Sequence, residues 1–99
     1  MKQATLEQAR QVIDGALRGY LNEVPFVKIA VSPQLGEDDE EFLWVKAVYE
    51  GGLGTIDPHR SVTVIEHVLS KLEEADVAAY PVFSYIAKSD FTEKELAAL

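Results

Sequence analysis

His59 and His67 fall in one segment with Asp57, Arg60 and Glu66, and that segment holds the residues best suited to proton transfer near neutral pH. Histidine titrates close to neutrality and so suits general acid–base work. Eight positions apart on a helix, however, the two rings sit about 80° apart around the axis and about 12 Å along it. They cannot share a metal ion without ligands from elsewhere. His67 next to Glu66 could be a general base, but neither a nucleophile nor an oxyanion donor stands nearby in sequence. The pair reads as solvent-side helix residues. An enzyme or ligand site here would have to assemble Asp57, His59, Arg60 and Glu66 beside the preceding turn, Gly51-Gly52-Leu53-Gly54.

That turn precedes a helix start, where free N–H groups favour anions. It matches neither the dinucleotide pattern nor the lysine-bearing phosphate loop. Its G-x-x-G spacing is shared with the RNA-clamping loop of KH modules, but that loop joins two helices and this one joins a strand to a helix. Asp57 would also repel phosphate, so the turn reads as a flexible connection.

Two further features carry weak chemical signals. The run Glu37-Asp38-Asp39-Glu40-Glu41 is rich in oxygen ligands, but it is contiguous and lacks the alternate spacing and internal glycine of a calcium loop. It reads as a solvated hairpin connection. Ser84 lies in an apolar strand-like run without a G-x-S-x-G elbow, so it reads as a small filler hydroxyl. No catalytic, metal or cofactor site is therefore expected, and an enzyme is the less favoured reading.

Composition narrows the class. The chain has 99 residues, 47% of them hydrophobic, with four prolines and six glycines, the make-up of one folded domain. It contains no cysteine, which excludes disulfides, thiolate nucleophiles and cysteine-based metal sites and favours a cytoplasmic home. The opening residues lead into a polar helix pattern and not an apolar signal core. Charges interrupt every apolar stretch before it reaches the length of a membrane helix. Seventeen acids against nine bases give a net charge of −8, which argues against nucleic acid as a partner and is compatible with basic proteins.

The elements that must position these residues follow from periodicity. Leu6, Ala9, Ile13, Ala16, Leu17 and Tyr20 mark one buried face of a helix from Thr5 to Asn22, with Thr5 and Gln8 in capping-box spacing. Gly15 inside it suggests close packing, and Pro25 ends the segment. A β-hairpin follows, with strands Phe26–Val31 and Phe42–Tyr49 joined by the loop Ser32–Glu41. After a turn at Glu50–Thr55, Asp57-Pro58 is a good helix opening. Val62, Ile65, Val68, Leu69, Leu72 and Ala75 continue that helix to about Asp76. A last strand spans Tyr80–Ala87 with Pro81 at its start. Thr92 and Glu95 form a capping box, and Phe91 and Leu96 a hydrophobic staple, for a short C-terminal helix.

The order helix, strand, strand, helix, strand, short helix predicts an α+β two-layer sandwich, with two helices on one face of a three-stranded sheet. The preferred arrangement is all-antiparallel with strand order 2-1-3. The alternative pairs the last strand parallel to the second through a crossover.

Strict alternation places Val27, Ile29 and Val31 on one side of the hairpin and Phe26, Lys28 and Ala30 on the other. In the second strand Phe42, Trp44, Lys46 and Val48 share that second side. A half-solvated sheet should be polar on its outer face, yet Phe26, Phe42, Trp44 and Val48 stand there with only Lys28 and Lys46. Large exposed apolar patches mark binding surfaces, and tryptophan is a frequent interface anchor. These six residues form the candidate interface of a small, acidic, non-enzymatic interaction domain. Its partner is another protein or a second copy of itself, unless the short C-terminal helix covers the face. A narrower version is an acidic inhibitor or immunity-type protein that neutralises a basic partner through Glu37–Glu41.

Overall fold

The computed structural model describes residues 2–51 and 55–99. Helix α1 spans Gln3–Tyr20 and leads into strands β1 (Phe26–Leu35) and β2 (Glu41–Tyr49). Helix α2 (Pro58–Glu74), strand β3 (Pro81–Ala87), a 3-10 turn at Lys88–Asp90 and helix α3 (Glu93–Ala97) complete the chain. The architecture is α+β. The residues Gly52–Gly54 of the glycine turn lie outside the described residues.

The sheet corrects the expected strand order. It runs β1-β2-β3, with β2 antiparallel to β1 and parallel to β3. The physical reason lies in β2 itself. Leu43, Val45, Ala47 and Val48 are all fully buried, and they lie on both of its faces. A strand apolar on both sides belongs in the middle of a sheet. Prolines belong at edges, where the missing N–H does no harm, and Pro33 and Pro81 place β1 and β3 there.

The two long helices and the sheet share one core. Leu6, Ala9, Ile13 and Leu17 of α1, Val64, Val68 and Leu72 of α2, and Ile29, Val31, Leu43, Val45 and Ala47 of the sheet form one buried cluster. In both helices the buried residues recur every three or four positions, which corrects the expected stripe of α2: Val64, Val68 and Leu72 are buried, whereas Val62 is exposed and Ile65 and Leu69 stand outside the cluster. Full burial of one such aliphatic side chain stabilises by roughly 1.5–3 kcal/mol.

The helix ends show which local signals hold. Asp57 caps α2, its carboxylate accepting the His59 N–H at 2.8 Å, with Pro58 at the first helical position. At α3 both bonds of the Thr92–Glu95 capping box are present. The corresponding pair at Thr5 and Gln8 is not used: α1 begins at Gln3, Thr5 lies inside it, and Gln8 donates to the Ala75 carbonyl at 3.2 Å. Gly15 does not mark close packing, for it is exposed and a methyl group there would meet nothing within 4 Å.

A bulge corrects the hairpin faces. Phe26 pairs with Tyr49, but the next pair is Lys28 with Val48, so Val27 is an extra residue on β1. One unpaired residue reverses the alternation before it. Phe26 therefore joins Ile29 and Val31 in the core, while Val27 is 38% exposed.

A candidate interaction surface on the outer sheet face

The face turned away from the core is built in rows set by the register. Ser32, Trp44 and Val82 lie side by side, then Ala30, Lys46 and Ser84, then Lys28, Val48 and Ile86. Gln34 beside Phe42 begins the set at the hairpin end.

The two ends of this face differ. At the Lys28 end, α3 lies on the sheet: Lys28 donates from Nζ to the Leu99 carbonyl at 2.8 Å and to the Leu96 carbonyl at 3.4 Å. A lysine at the C-terminal end of a helix is well placed, since it meets free carbonyls and the negative dipole end. Val48 is fully buried in that row.

The hairpin end stays open. Trp44 is 36% exposed, Val82 41% and Tyr80, just before β3, 63%. The indole is nonetheless held in place. Its Nε1 donates to Ser84 Oγ at 2.9 Å, and Lys46 Nζ lies 4.4 Å from the ring centroid. Such a cation over an aromatic face contributes about 0.5–1 kcal/mol at exposed sites.

Of the six residues singled out from sequence, the structure brings Phe42, Trp44 and Lys46 together at the open end. Phe26 is in the core, Val48 is covered, and Lys28 is the tether of α3. Sequence reasoning missed Tyr80, Val82 and Ser84. Their alternation in β3 was legible, but only the parallel pairing with β2 brings them beside Trp44.

The other sequence candidates have structural occupations. Glu37, Asp38, Asp39 and Glu40 are exposed on a tight turn closed by the Gly36 N–H to the Glu40 carbonyl at 2.8 Å, with Asp39 in the left-handed region at φ 61°. The Asp38 N–H donates to Glu40 Oε2 at 2.9 Å. Arg60 is drawn to Glu23 and to the Tyr20 carbonyl, and its guanidinium lies 5.3 Å from the Tyr20 ring centroid. A hydrogen bond to the backbone, then pairing with Arg60, holds the exposed Glu23 carboxyl below its ordinary range. His67 stacks on Tyr20 with ring centroids 5.0 Å apart, and the Tyr20 hydroxyl meets Thr63 Oγ1 at 2.8 Å. These contacts join the end of α1 to α2. Asp57 is occupied as a cap, and His59 and Glu66 are exposed.

Among the described residues no three His, Cys, Asp or Glu side chains are grouped to hold a metal ion. No described helix is long and apolar enough to cross a membrane. Comparison with protein-family models, curated proteins and solved structures finds no match for this chain.

Proposed function

We propose that this protein is a small, non-enzymatic interaction domain that binds a protein partner through the open half of its outer sheet face. The fold is read as two layers, with α1 and α2 covering one side of the sheet so that the other is free to bind. The observation that carries this reading is Trp44. Two neighbours fix its ring, yet more than a third of it faces solvent beside Val82 and Tyr80. A ring already held in one orientation loses little freedom on binding, which favours affinity. An apolar side chain of the partner would fill the space over the indole, and an acceptor would meet Lys46.

The net charge of −8 favours a basic partner surface, through faster encounter more than through final affinity. A second, narrower reading is an inhibitor or immunity-type protein whose acids at 37–41 contact a basic target directly. The exposure of Glu37–Glu40 on an ordered turn next to the Trp44 end supports it. The absence of cysteine supports a cytoplasmic setting for either.

The test is paired affinity capture with the native chain, Trp44→Ser, and Glu66→Gln as a control on an exposed helix position. Loss of the captured protein with Trp44→Ser alone is the expected result. Equal capture by all three baits refutes the surface. Replacing the five acids by Ser and Gln separates the two readings: unchanged capture in low salt removes the inhibitor version and leaves the Trp44 surface standing.

A further inference from the structure

We propose that the chain forms a closed two-fold dimer in which β3 pairs antiparallel with the β3 of a second copy, independently of the Trp44 surface. The Leu43 N–H donates to the Tyr80 carbonyl at 2.8 Å, and Leu43 is in register with Pro81. In a parallel ladder this phase directs the backbone groups of Val82, Ser84 and Ile86 to β2. Those of Phe83, Tyr85 and Ala87 point to the open edge. β3 is a seven-residue end strand of the sheet, and among the described residues no other strand pairs with that edge.

Natural sheets usually guard such an edge with charge, proline or a bulge. From Val77 to Ala87 there is no charged residue, and the only guard is Pro81 at one end. The opposite edge is obstructed. β1 carries the Val27 bulge and Pro33, and its Phe26 carbonyl accepts Arg18 Nη1 at 3.2 Å. Head-to-tail pairing of β3 with β1 of another copy is therefore disfavoured. Pairing of β3 with itself gives a closed, isologous contact.

The strand is complementary to its own reverse. With the two-fold at Ser84, Phe83 exchanges both backbone bonds with the partner's Tyr85, and Ala87 donates to the carbonyl of the partner's Pro81. The missing proline N–H then falls at the two ends, where it costs least. The half-buried rings of Phe83 and Tyr85, already parallel at 6.2 Å, would meet their symmetry mates on the inner face.

Charge and apolar surface point the same way. Lys88, just past β3, pairs with Glu50 of its own copy at 3.0 Å, so the contact buries no unpaired lysine beside its uncharged centre. On α2, Val62, Ile65 and Leu69 form an i, i+3, i+7 stripe on the flank away from Thr63 and His67, which face α1. Val62 is 64% exposed, and none of the three belongs to the core cluster. Extending the sheet through β3 gives this stripe a matching stripe to cover it.

The absence of native cysteine makes the register testable. Ser84→Cys places two thiols across a non-hydrogen-bonded pair, about 5 Å apart at Cβ, within reach of a disulfide after small adjustment. Under mild oxidation this variant is expected to cross-link at least ten times faster than Val82→Cys or Ile86→Cys alone. A mixture of those two chains should also cross-link, since Val82 faces the partner's Ile86. Sedimentation of the full chain should give the mass of two copies, unchanged in Trp44→Ser. Either cross-link together with the dimer mass supports the proposal. A monomer mass at millimolar concentration overturns it, as does a dimer that forms neither cross-link.

Discussion

Replacing Tyr85 by Phe should stabilise this protein, although it removes a polar group from a half-buried residue. The Tyr85 hydroxyl is enclosed with no hydrogen-bond partner among the described residues. Burial pushes its pKa up to about 12. A buried donor left unpaired costs about 1–3 kcal/mol relative to its hydrated state. The ring is only half buried and keeps its parallel contact with Phe83 in the variant, so the low end applies. The expected gain is about 1 kcal/mol, or roughly 4–8 °C in melting temperature for a domain of this size.

A pH series supplies an independent arm. In the unfolded chain Tyr85 loses its proton near pH 10, while in the folded chain it keeps it to about 12. Over that interval the unfolded state binds fewer protons, so stability falls as pH rises. The contribution is fully present below about pH 10 and is lost as pH passes through about 12. Solvent screening of a half-exposed group keeps it below about 1 kcal/mol. The advantage of Tyr85→Phe should therefore widen above pH 10. Urea unfolding followed by Trp44 fluorescence, with both proteins at the same low concentration, measures both arms. A lower urea midpoint for Tyr85→Phe at pH 7 would show that the hydroxyl has a partner in solution and would refute the reasoning.

Three further outcomes follow from local geometry. Thr92→Ala removes the capping box of a five-residue helix with no buried side chain; a cap contributes about 1 kcal/mol, so amide exchange in α3 should accelerate about fivefold while the urea midpoint moves little. Equal loss of global stability would instead make α3 part of the cooperative core. Gly15→Ala, at an exposed helical position with open space around it, should stabilise by up to about 1 kcal/mol in thermal melts. Gly51→Ala should destabilise by about 1–3 kcal/mol, because φ is 132° there and a methyl group would run into Thr55; an unchanged melting temperature would count against that backbone conformation.

Much of the fold was legible because local and tertiary preferences agree. The stripe of α1, the Asp57-Pro58 opening and the Thr92–Glu95 box each state one instruction, and the structure follows it; the stripe read for α2 holds at Val68 and Leu72 but is displaced at its start, where Val64 is buried and Val62 is 64% exposed. The candidate surface was legible only in part. Alternation read from the hairpin sends Phe26 outward, but a single unpaired residue at Val27 reverses it, and no local signal in Phe26-Val27-Lys28 announces a bulge. Nor does alternation reveal that the carbonyls of Leu96 and Leu99, some seventy residues on, take up Lys28, because that contact is long-range and rests on the backbone. Lys28 leaves the open surface for that reason.

The strand order was available in the sequence and turned on one comparison. With β1 central, its Lys28, Ser32 and Gln34 would occupy the middle of the outer face, and Trp44 would lie on an edge strand far from Ser84. With β2 central, Leu43, Val45 and Ala47 fill one face while Trp44, Lys46 and Val48 have neighbours on both sides on the other. Burying both faces of β2 outweighs the shorter connection that an antiparallel β3 would allow, since an α-helical crossover is available in α2. The same choice leaves β3, uncharged from Pro81 to Ala87, at the sheet edge, and it gives Trp44 the Ser84 hydroxyl that holds it in place. Both proposed contact surfaces are thus consequences of a central strand that is apolar on two sides.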